Sequence, residues 1–358
     1  FPLAYFDPDF RYPRTLKVAL AADHLLPGGV VGTLDFLYSR GVNTVQMVDV
    51  NLVGPVGASV GEGGRVLYGT INDSTGQATP NRRTDALGGV FEMRNGSGDR
   101  SFSVTTQLEK RFPKGTVLSA AYTYTDAKDR MSMGGDRGGL NAGSAPVDGT
   151  LEHRELRTSF WERPHKVTLV ATTDLPLGFR FGLTYVGMSG AAYTYVLLGD
   201  ANADGFRPFS DLSNDVVYVP RDAGDITLAN PADYAFLDGL IQGESCLRNR
   251  RGRLLERNSC RDPWVHETSA RLSKQFRLAD RRSLEVTADL FNVLSFVDGD
   301  WGLVRQTPSA AGNVALMEIV GYDSPNGRGV YGLVPVSLRE VDVEASRWRL
   351  QLGATLSF

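Results

Sequence analysis

Segments in which apolar and polar residues alternate recur along the chain, and the connections between them are alternately short and long. The short connections lie near residues 27–29, 113–115, 176–178 and 279–281, and the long ones cover about 41–99, 128–163, 198–262 and 297–346. A period of two residues is typical of a β-strand with one apolar face. Outer-membrane barrels have short periplasmic turns and long outside loops, whereas a soluble sandwich has no reason to sort its loops by length. The sequence therefore predicts an all-β fold, an antiparallel transmembrane β-barrel with long extracellular loops.

The last strand-like segment, residues 347–358, shows the alternation most clearly. Its apolar positions are Trp348, Leu350, Leu352, Ala354, Leu356 and Phe358. A soluble sandwich strand can alternate in the same way, but the chain ends on an aromatic residue, and aromatic girdles mark the water boundaries of membrane barrels. We therefore predict an outer-membrane C-terminal signature formed by Trp348, Leu350, Leu352, Leu356 and Phe358.

The composition limits the classes of protein that fit. The chain has 358 residues, which is enough for one large barrel or two ordinary domains. Its formal net charge is -3, so nothing suggests nucleic-acid binding. It contains no run of about 18 apolar residues, and no transmembrane helix is predicted. The first residue is Phe1 instead of Met, which favours a processed, truncated or partial chain.

Counting strands backwards from a periplasmic Phe358 gives about nine crossing strands. The strand-like pieces Thr44–Leu52 and Gly89–Arg94 then become hairpin extensions above the membrane. Single-chain bacterial barrels have even strand counts. We therefore expect residues 1–358 to be the C-terminal part of a larger barrel domain, without the plug domain and the N-terminal strands.

Two local features are predicted at the ends of strands. The segment Phe1–Thr15 contains three prolines and no period, and is predicted to be a loop. The alternation changes phase at Phe291 and Asn292, which favours a β-bulge there.

Four stretches, read in order with the terminal Phe358, resemble the C-terminal barrel of TonB-dependent receptors, and within these the Oar-like group. The stretches are Tyr122–Asp129, Gly199–Gly205 with Asn214–Pro220, Cys246–Trp264 and Asp289–Leu294. The resemblance covers nearly the whole chain. It implies a barrel of about 22 strands, a plug domain inside it and a TonB box ahead of the plug. Since neither plug nor box is found in this sequence, it implies coupling to the TonB complex for a longer parent protein.

A loop with the spacing of a calcium-binding loop begins at residue 200. Its predicted ligands are Asp200, Asn202, Asp204, the main-chain carbonyl of Phe206, and Asp211. Gly205 occupies the sixth position, where such a loop bends sharply, but Asp211 replaces the usual Glu at the twelfth and has a shorter reach. Calcium binding is one interpretation, and a polar turn whose side chains bond their own backbone is the other.

The two cysteines, Cys246 and Cys260, lie in one long outside loop. An even number of cysteines in an oxidising compartment favours a disulfide over two free thiols. Such a bond would stabilise the loop by roughly 3 kcal/mol. A zinc site would need further Cys or His ligands nearby, and the sequence has none there.

A cluster of arginines accompanies these cysteines. Its members are Arg248, Arg250, Arg251, Arg253 and Arg257, with Arg261 just after. At a barrel mouth such a cluster can bind an anionic ligand or lipopolysaccharide phosphates. The alternative, which we favour, is a solvated loop balanced by nearby acidic residues.

The polar strand faces carry charges that would line the lumen of a barrel and pair with one another or with a plug. They are Glu109, Arg111, Lys166, Arg180, Arg271, Arg277, Glu285 and Asp289. The rival interpretation is a soluble barrel with these residues outside.

No pattern in the sequence favours an enzyme. The four histidines are scattered, with no serine or cysteine nucleophile at a matching spacing, and are expected to make interface or loop hydrogen bonds. Two functions stay open: a TonB-dependent receptor that moves a bulky, unknown ligand across the outer membrane, and a barrel that anchors surface loops for interaction or adhesion.

Overall fold

The computed structural model describes residues 3–134, 138–206, 213–279, 282–309 and 312–358. Strands predominate in these residues, and none of their helices is long and apolar enough to cross a membrane.

Strands and helices are numbered in chain order. The strands are β1 (Leu3–Phe6), β2 (Arg14–Leu26), β3 (Val30–Asp49), β4 (Gly57–Ser59), β5 (Arg65–Leu67), β6 (Gly69–Ile71), β7 (Ala78–Pro80), β8 (Val90–Arg111), β9 (Val117–Asp129), β10 (Arg157–Thr158), β11 (His165–Leu175), β12 (Phe179–Met188), β13 (Ala192–Leu198), β14 (Tyr218–Val219), β15 (Thr227–Leu228), β16 (Arg253–Leu254), β17 (Cys260–Arg261), β18 (Val265–Ala279), β19 (Arg282–Phe291), β20 (Arg305–Gln306), β21 (Asn313–Asp323), β22 (Arg328–Leu333), β23 (Glu340–Val341) and β24 (Arg349–Ser357). The helices are α1 (Gly138–Ser144), α2 (Tyr234–Gly243), α3 (Ser245–Arg248), α4 (Val293–Val297) and α5 (Val343–Ser346).

Nine long strands form one antiparallel sheet in the order β2-β3-β8-β9-β11-β12-β18-β19-β24. These are the nine strands that the alternating pattern predicts. Two short strands join the sheet off this path, β1 beside β8 and β10 beside β9. Within the described residues the sheet does not close on itself, because β2 and β24 each pair with only one neighbour.

The predicted order of short and long connections is confirmed. Short turns join β2 to β3, β8 to β9 and β11 to β12, while long segments follow β3, β9, β12 and β19. The predicted hairpin extension is also present, because Thr44 pairs with Gly96 and Asp49 with Phe91 beyond two register shifts near Val42. Residues 280 and 281 of the remaining short turn lie outside the described residues.

The two faces of the sheet have opposite character. Apolar side chains are exposed on one face along its whole width, among them Leu20, Leu34, Leu118, Leu169, Leu272, Val286 and Leu352. On the other face polar groups meet across strands: the hydroxyls of Thr105 and Thr123 lie 2.9 Å apart, and Gln107 donates to Ser119 at 3.2 Å. This arrangement is the reverse of a soluble core, in which the apolar face would be covered.

The buried hydrophobic core lies instead in the long connections, which we call the cap (residues 50–89, 130–164, 189–264 and 292–348). Here five short strands form a sheet in the order β15-β22-β21-β13-β17. Its largest fully buried apolar side chains include Tyr193, Tyr195, Leu197, Leu237, Ile241, Leu247, Leu255, Leu316 and Met317. The described parts of the third and fourth long connections therefore share one hydrophobic core, and a second, smaller core packs residues of the 130–164 segment against β3.

Two local predictions are wrong. The segment predicted as a loop over Phe1–Thr15 contains β1, whose backbone pairs in parallel with β8 from Leu3 opposite Val90. At Phe291 the strand ends without a bulge, because Asn292 adopts a left-handed conformation with φ of 50° and α4 follows. The Asn292 amide then donates to the carbonyl oxygens of Gly302 and Ser346.

Candidate functional site

The acidic loop (residues 200–206) follows β13 and lies inside the cap. Asp200, Asn202 and Asp204 are each at least nine-tenths buried. Asp200 accepts the amides of Asp204 and Gly205 at 2.9 and 2.8 Å, and Asn202 Oδ1 accepts the Asp204 amide at 2.9 Å. Gly205 has a φ of 81°, which is the left-handed bend predicted at the sixth position. The three side chains thus turn inward around a tight backbone curve.

A buried ion-pair network adjoins this loop. Arg65 contacts Glu62 at 2.8 Å and Asp215 at 3.3 Å, and all three side chains are almost inaccessible to solvent. Asp215 also accepts the main-chain amide of Ala201 at 2.8 Å, which connects the network to the acidic loop. Burial is the main cause that raises the pKa of Asp215, to about 7.

The carboxylates of the acidic loop have no such partner. No ion pair of Asp200 or Asp204 lies within 4.0 Å among the described residues. Burial, together with the charges of Asp204 and Asp215, raises the pKa of Asp200 well above its usual range. Burial raises the pKa of Asp204 and the charge of Arg154 opposes that rise, while burial lowers the pKa of Arg154 itself to about 10.

Two buried polar atoms beside the acidic loop have no hydrogen-bond partner within the part of the chain that the structure describes. They are Asn214 Oδ1 and Arg154 Nε. Asn214 is 2% exposed, and its amide nitrogen donates to Asp204 Oδ2. Arg154 uses its other nitrogens to donate to the carbonyls of Ala142 and Ala145 at 2.9 and 2.7 Å. Buried polar groups are normally paired, so these two atoms mark a place where a ligand would fit.

A cavity of about 700 Å³ lies between the strand extensions and the acidic loop. Its apolar wall includes Leu3, Met47, Val48, Leu52, Phe91, Leu140, Leu151 and Phe206. Its polar wall includes Asp49, Arg82, Arg154, Asp204 and Asn214. The volume and the mixed lining are those of small-molecule binding sites, which are mostly apolar with a few placed polar groups.

The predicted calcium ligands are brought together only in part. Asp200, Asn202 and Asp204 converge, and the Phe206 amide donates to Asp204 Oδ1 at 2.7 Å, while Asp211 lies outside the described residues. In the described ranges, no three His, Cys, Asp or Glu side chains are grouped as a metal site by themselves. Calcium binding here stays a prediction. Asn214 was missed, although it stands nine residues after Gly205 just ahead of an apolar run.

The predicted disulfide between Cys246 and Cys260 is present, with an S–S distance of 2.06 Å and a Cα–Cα distance of 5.1 Å. It joins α3 to β17 beside the buried core of the cap.

Most of the clustered arginines make contacts within the cap. Arg251 contacts Asp238 at 2.5 Å and Arg250 contacts Glu256 at 3.1 Å. Arg248 donates to the carbonyl of Gln242, while Arg253 is exposed in β16. The fifth arginine, Arg257, is buried and contacts Asp129 at the end of β9. Binding of an anion by these arginines stays a prediction.

Charged side chains at the short-turn end of the apolar face lie over aromatic rings. The Lys274 ammonium lies 4.5 Å from the ring centroid of Phe179 and 5.0 Å from that of Phe276, and Lys110 lies 4.7 Å from Phe112. Lysine stems that lie along an apolar surface with their charge at its edge are typical of a membrane boundary.

The opposite end of the same face carries stacked aromatic and histidine rings. His165, Trp264 and His266 stack in a row with centroid separations of 6.1 and 6.2 Å. Tyr122 and Tyr185 hydroxyls lie 2.8 Å from Nδ1 of His165 and His266. The two ring-rich ends therefore bound an apolar band, as the two aromatic girdles of a membrane barrel do.

Comparison with known families decides the class of the protein. The family described as outer membrane beta barrel domain matches residues 2–297. The chain belongs to this family. The apolar face of this outer-membrane barrel domain therefore faces the lipid of a bacterial outer membrane, and the rival interpretation as a soluble barrel is excluded. No curated protein matches the sequence.

Two solved structures of mutants of the ferric enterobactin receptor (PfeA) from Pseudomonas aeruginosa are similar to this outer-membrane barrel domain. The first shares 11% identity at a TM-score of 0.41 and matches 97% of this chain and 31% of the receptor chain. The second shares 10% identity at a TM-score of 0.42 and matches 99% and 32%. The chain thus spans about a third of the length of these receptors.

Proposed function

We propose that this domain is the C-terminal barrel portion of a TonB-dependent outer-membrane receptor that imports or exports a bulky ligand without an enzymatic step. The observation that carries this proposal is the cavity at the junction of strand extensions and cap. It combines about 700 Å³ of space with an apolar wall and with Arg154 Nε, which has no hydrogen-bond partner among the described residues. A ligand with an apolar body and an acceptor group would satisfy both features.

The edges of the sheet support the expectation of a longer parent barrel. Strands β2 and β24 each leave one row of backbone groups unpaired within the described residues. Open sheet edges do not occur in hydrocarbon, because each unsatisfied group costs several kcal/mol. Further strands of the same parent protein would pair with them, and a plug domain would meet the polar face. Some charged side chains of the polar face already form ion pairs with one another, since Arg271 Nη1 lies 3.6 Å from Asp289 Oδ1.

Binding of the complete protein to the periplasmic domain of TonB tests the receptor class. We expect saturable binding of the detergent-purified protein, lost when the segment ahead of its plug is deleted. A complete protein that has no plug and does not bind TonB would contradict the proposal.

Ligand binding is tested separately, by thermal shift against ferric siderophores, cyanocobalamin, oligosaccharides and oligopeptides. Ala4→Trp narrows the cavity from its exposed β1 wall and should abolish the shift that one class produces in the unmodified protein. Ala223→Trp changes an exposed cap residue outside the cavity lining, is the matched control and should retain the shift. A shift that survives Ala4→Trp would exclude this cavity as the ligand site.

A second candidate function is a surface anchor or adhesion protein, and the packed cap favours it. The cap has its own hydrophobic core and a disulfide, as an independent interaction unit would. This function requires no plug and no TonB, so the TonB-binding experiment distinguishes the two.

A further inference from the structure

We propose that the acidic loop and Asn214 form a binding site for one Ca²⁺ ion inside the cap. The ligands are side-chain oxygens of Asp200, Asn202, Asp204 and Asn214. Asp204 and Asn214 also line the proposed ligand cavity, but the receptor function does not require a metal ion there.

The three loop side chains already surround one point of the backbone. Asp200 Oδ1 and Asn202 Oδ1 both lie 2.9 Å from the Asp204 nitrogen, so these two oxygens are close neighbours. Asn202 Nδ2 lies 3.3 Å from Asp204 Oδ2. Each carboxylate oxygen has two lone-pair directions, and a main-chain amide uses only one of them. Asp204 Oδ2 accepts from both Asn202 and Asn214. The two Asp200 oxygens and Asp204 Oδ1 accept one main-chain amide each, and these oxygens retain the capacity to bind a cation.

The Asn214 amide is the independent sign of a missing partner. Its Nδ2 donates a hydrogen bond to Asp204 Oδ2, and its Oδ1 is buried without a hydrogen-bond partner within the described residues. An unsatisfied buried acceptor costs about 1–3 kcal/mol, and a cation coordinated by Oδ1 would remove that cost. Oδ1 and the nitrogen that contacts Asp204 belong to one planar amide group, so a cation bound at Asp204 would lie beside Oδ1.

The balance of buried charge agrees with a divalent cation. Four buried carboxylates lie in and beside the loop, and two buried arginines accompany them. The carboxylates are Glu62, Asp200, Asp204 and Asp215, and the arginines are Arg65 and Arg154. The neighbouring Arg82 is already matched by Asp49 at 3.2 Å. With all four carboxylates ionised, as cation binding requires, they exceed the arginines by two negative charges, which is the charge that one Ca²⁺ would neutralise.

The ligand chemistry selects calcium among common metal ions. All four side chains offer oxygen, and neither the loop nor Asn214 offers the nitrogen or sulfur that zinc prefers. Calcium accepts irregular sets of carboxylate and amide oxygens, whereas Mg²⁺ demands near-ideal octahedral geometry and retains its waters. The two carboxylates and two amides supply at least four of the roughly six to eight oxygens that Ca²⁺ takes, and main-chain carbonyls or waters would supply the rest. Asp211 lies outside the described residues and is not one of these four ligands.

Calorimetric titration of the complete, metal-stripped protein with CaCl₂ tests the site directly. We expect one Ca²⁺ ion to bind with a Kd of about 10⁻⁴–10⁻³ M or tighter, as at other extracellular sites, and MgCl₂ to bind more weakly. Absence of saturable binding at about ten times that range would overturn the proposal.

Two variants and a matched control locate the ion. Asp204→Asn should weaken Ca²⁺ binding by at least the roughly 10- to 100-fold that loss of a supporting group costs at other metal sites. Asn214→Asp keeps the side-chain size, adds a carboxylate and should tighten binding, which keeps the proposal testable if Asp204→Asn fails to fold. Asp300→Asn changes an exposed cap acid and should leave the affinity unchanged. Equal affinities of the control and Asn214→Asp would overturn the assignment.

Discussion

Arg257 of the cap contacts Asp129 at the end of β9, with Nη2 2.8 Å from Oδ1, across 128 residues of sequence. The Arg257 side chain is 2% exposed, and its other terminal nitrogen donates to Ser132 Oγ at 2.7 Å. A buried charge in this position connects the cap to the barrel strand below it. The contact therefore joins a buried side chain of the cap to the end of a barrel strand.

Arg257→Met should destabilise the cap by about 3–5 kcal/mol, because it leaves Asp129 in a largely buried position without its partner. The loss of stability is measured by chemical denaturation of the purified protein, with proteolysis of the cap as the readout of unfolding. Arg253→Met is the matched control, because Arg253 belongs to the same cluster but is exposed, and it should change the stability by no more than about 0.5 kcal/mol. Equal stability of the two variants would show that the Arg257 contact contributes nothing.

The disulfide gives a second prediction for the cap. Reduction of Cys246 and Cys260 should lower the stability of the cap by roughly 3 kcal/mol, because the open loop gains conformational freedom when unfolded. The thermal midpoint with and without reductant measures this effect. The double variant Cys246→Ser, Cys260→Ser should have the thermal midpoint of the reduced protein, and reductant should not change it. A reductant effect that persists in the double variant would have another origin.

The sequence predicted the membrane strands well because their signal is local. The residues next to Leu352 and Val286 in sequence are polar or small, which predicts that these two side chains lie on the apolar face. A two-residue period predicts this without information about the neighbouring strand. The cap could not be predicted in this way. In its core, Tyr195 of β13 pairs with Val314 of β21, which is far away in sequence. Strand β1 likewise forms by pairing with the edge of the β8 extension. Such long-range pairs leave no local period.

The part of the candidate site formed by neighbouring residues could be predicted for the same reason. The residues from Asp200 to Gly205 are consecutive, so their spacing is visible in the sequence. The positive φ of Gly205 confirms the predicted bend. Arg154 lies far from the loop in sequence, and the fold of the cap places it and Asn214 in the same cavity wall as Asp204. Burial then decides their role, because a polar group without a partner is informative only when water is excluded.

The Arg221–Asp225 contact gives a pH-dependent prediction. The hydrogen bonds from Arg221, the first of which joins Nη2 to Oδ1 at 2.6 Å, hold the pKa of Asp225 well below its usual range. A depressed folded-state pKa adds stability above the unfolded value of about 3.9, and this stability is lost as the pH falls toward the folded value. The thermal midpoint should therefore drop more between pH 6 and pH 3 in the unmodified protein than in Asp225→Asn, and parallel curves would contradict the assignment.

The facing of the last strand gives the most direct test of the membrane assignment. Leu352 is 73% exposed on the apolar face, near the middle of β24. An arginine there would lie at bilayer depth, so Leu352→Arg should cost about 2–4 kcal/mol. Gln351→Arg places the same side chain on the polar face, opposite Asp289, where a carboxylate can accept it.

Folding yields of the two variants in lipid vesicles, measured by the heat-dependent shift of folded barrel on gels, compare the two faces at one depth. We expect Leu352→Arg to fold poorly and Gln351→Arg to fold like the unmodified protein. The comparison holds side chain, charge and strand constant and changes only the direction in which the cation points. Equal yields would mean that β24 does not present Leu352 to lipid, and the facing of every strand paired in register with it would have to be reversed.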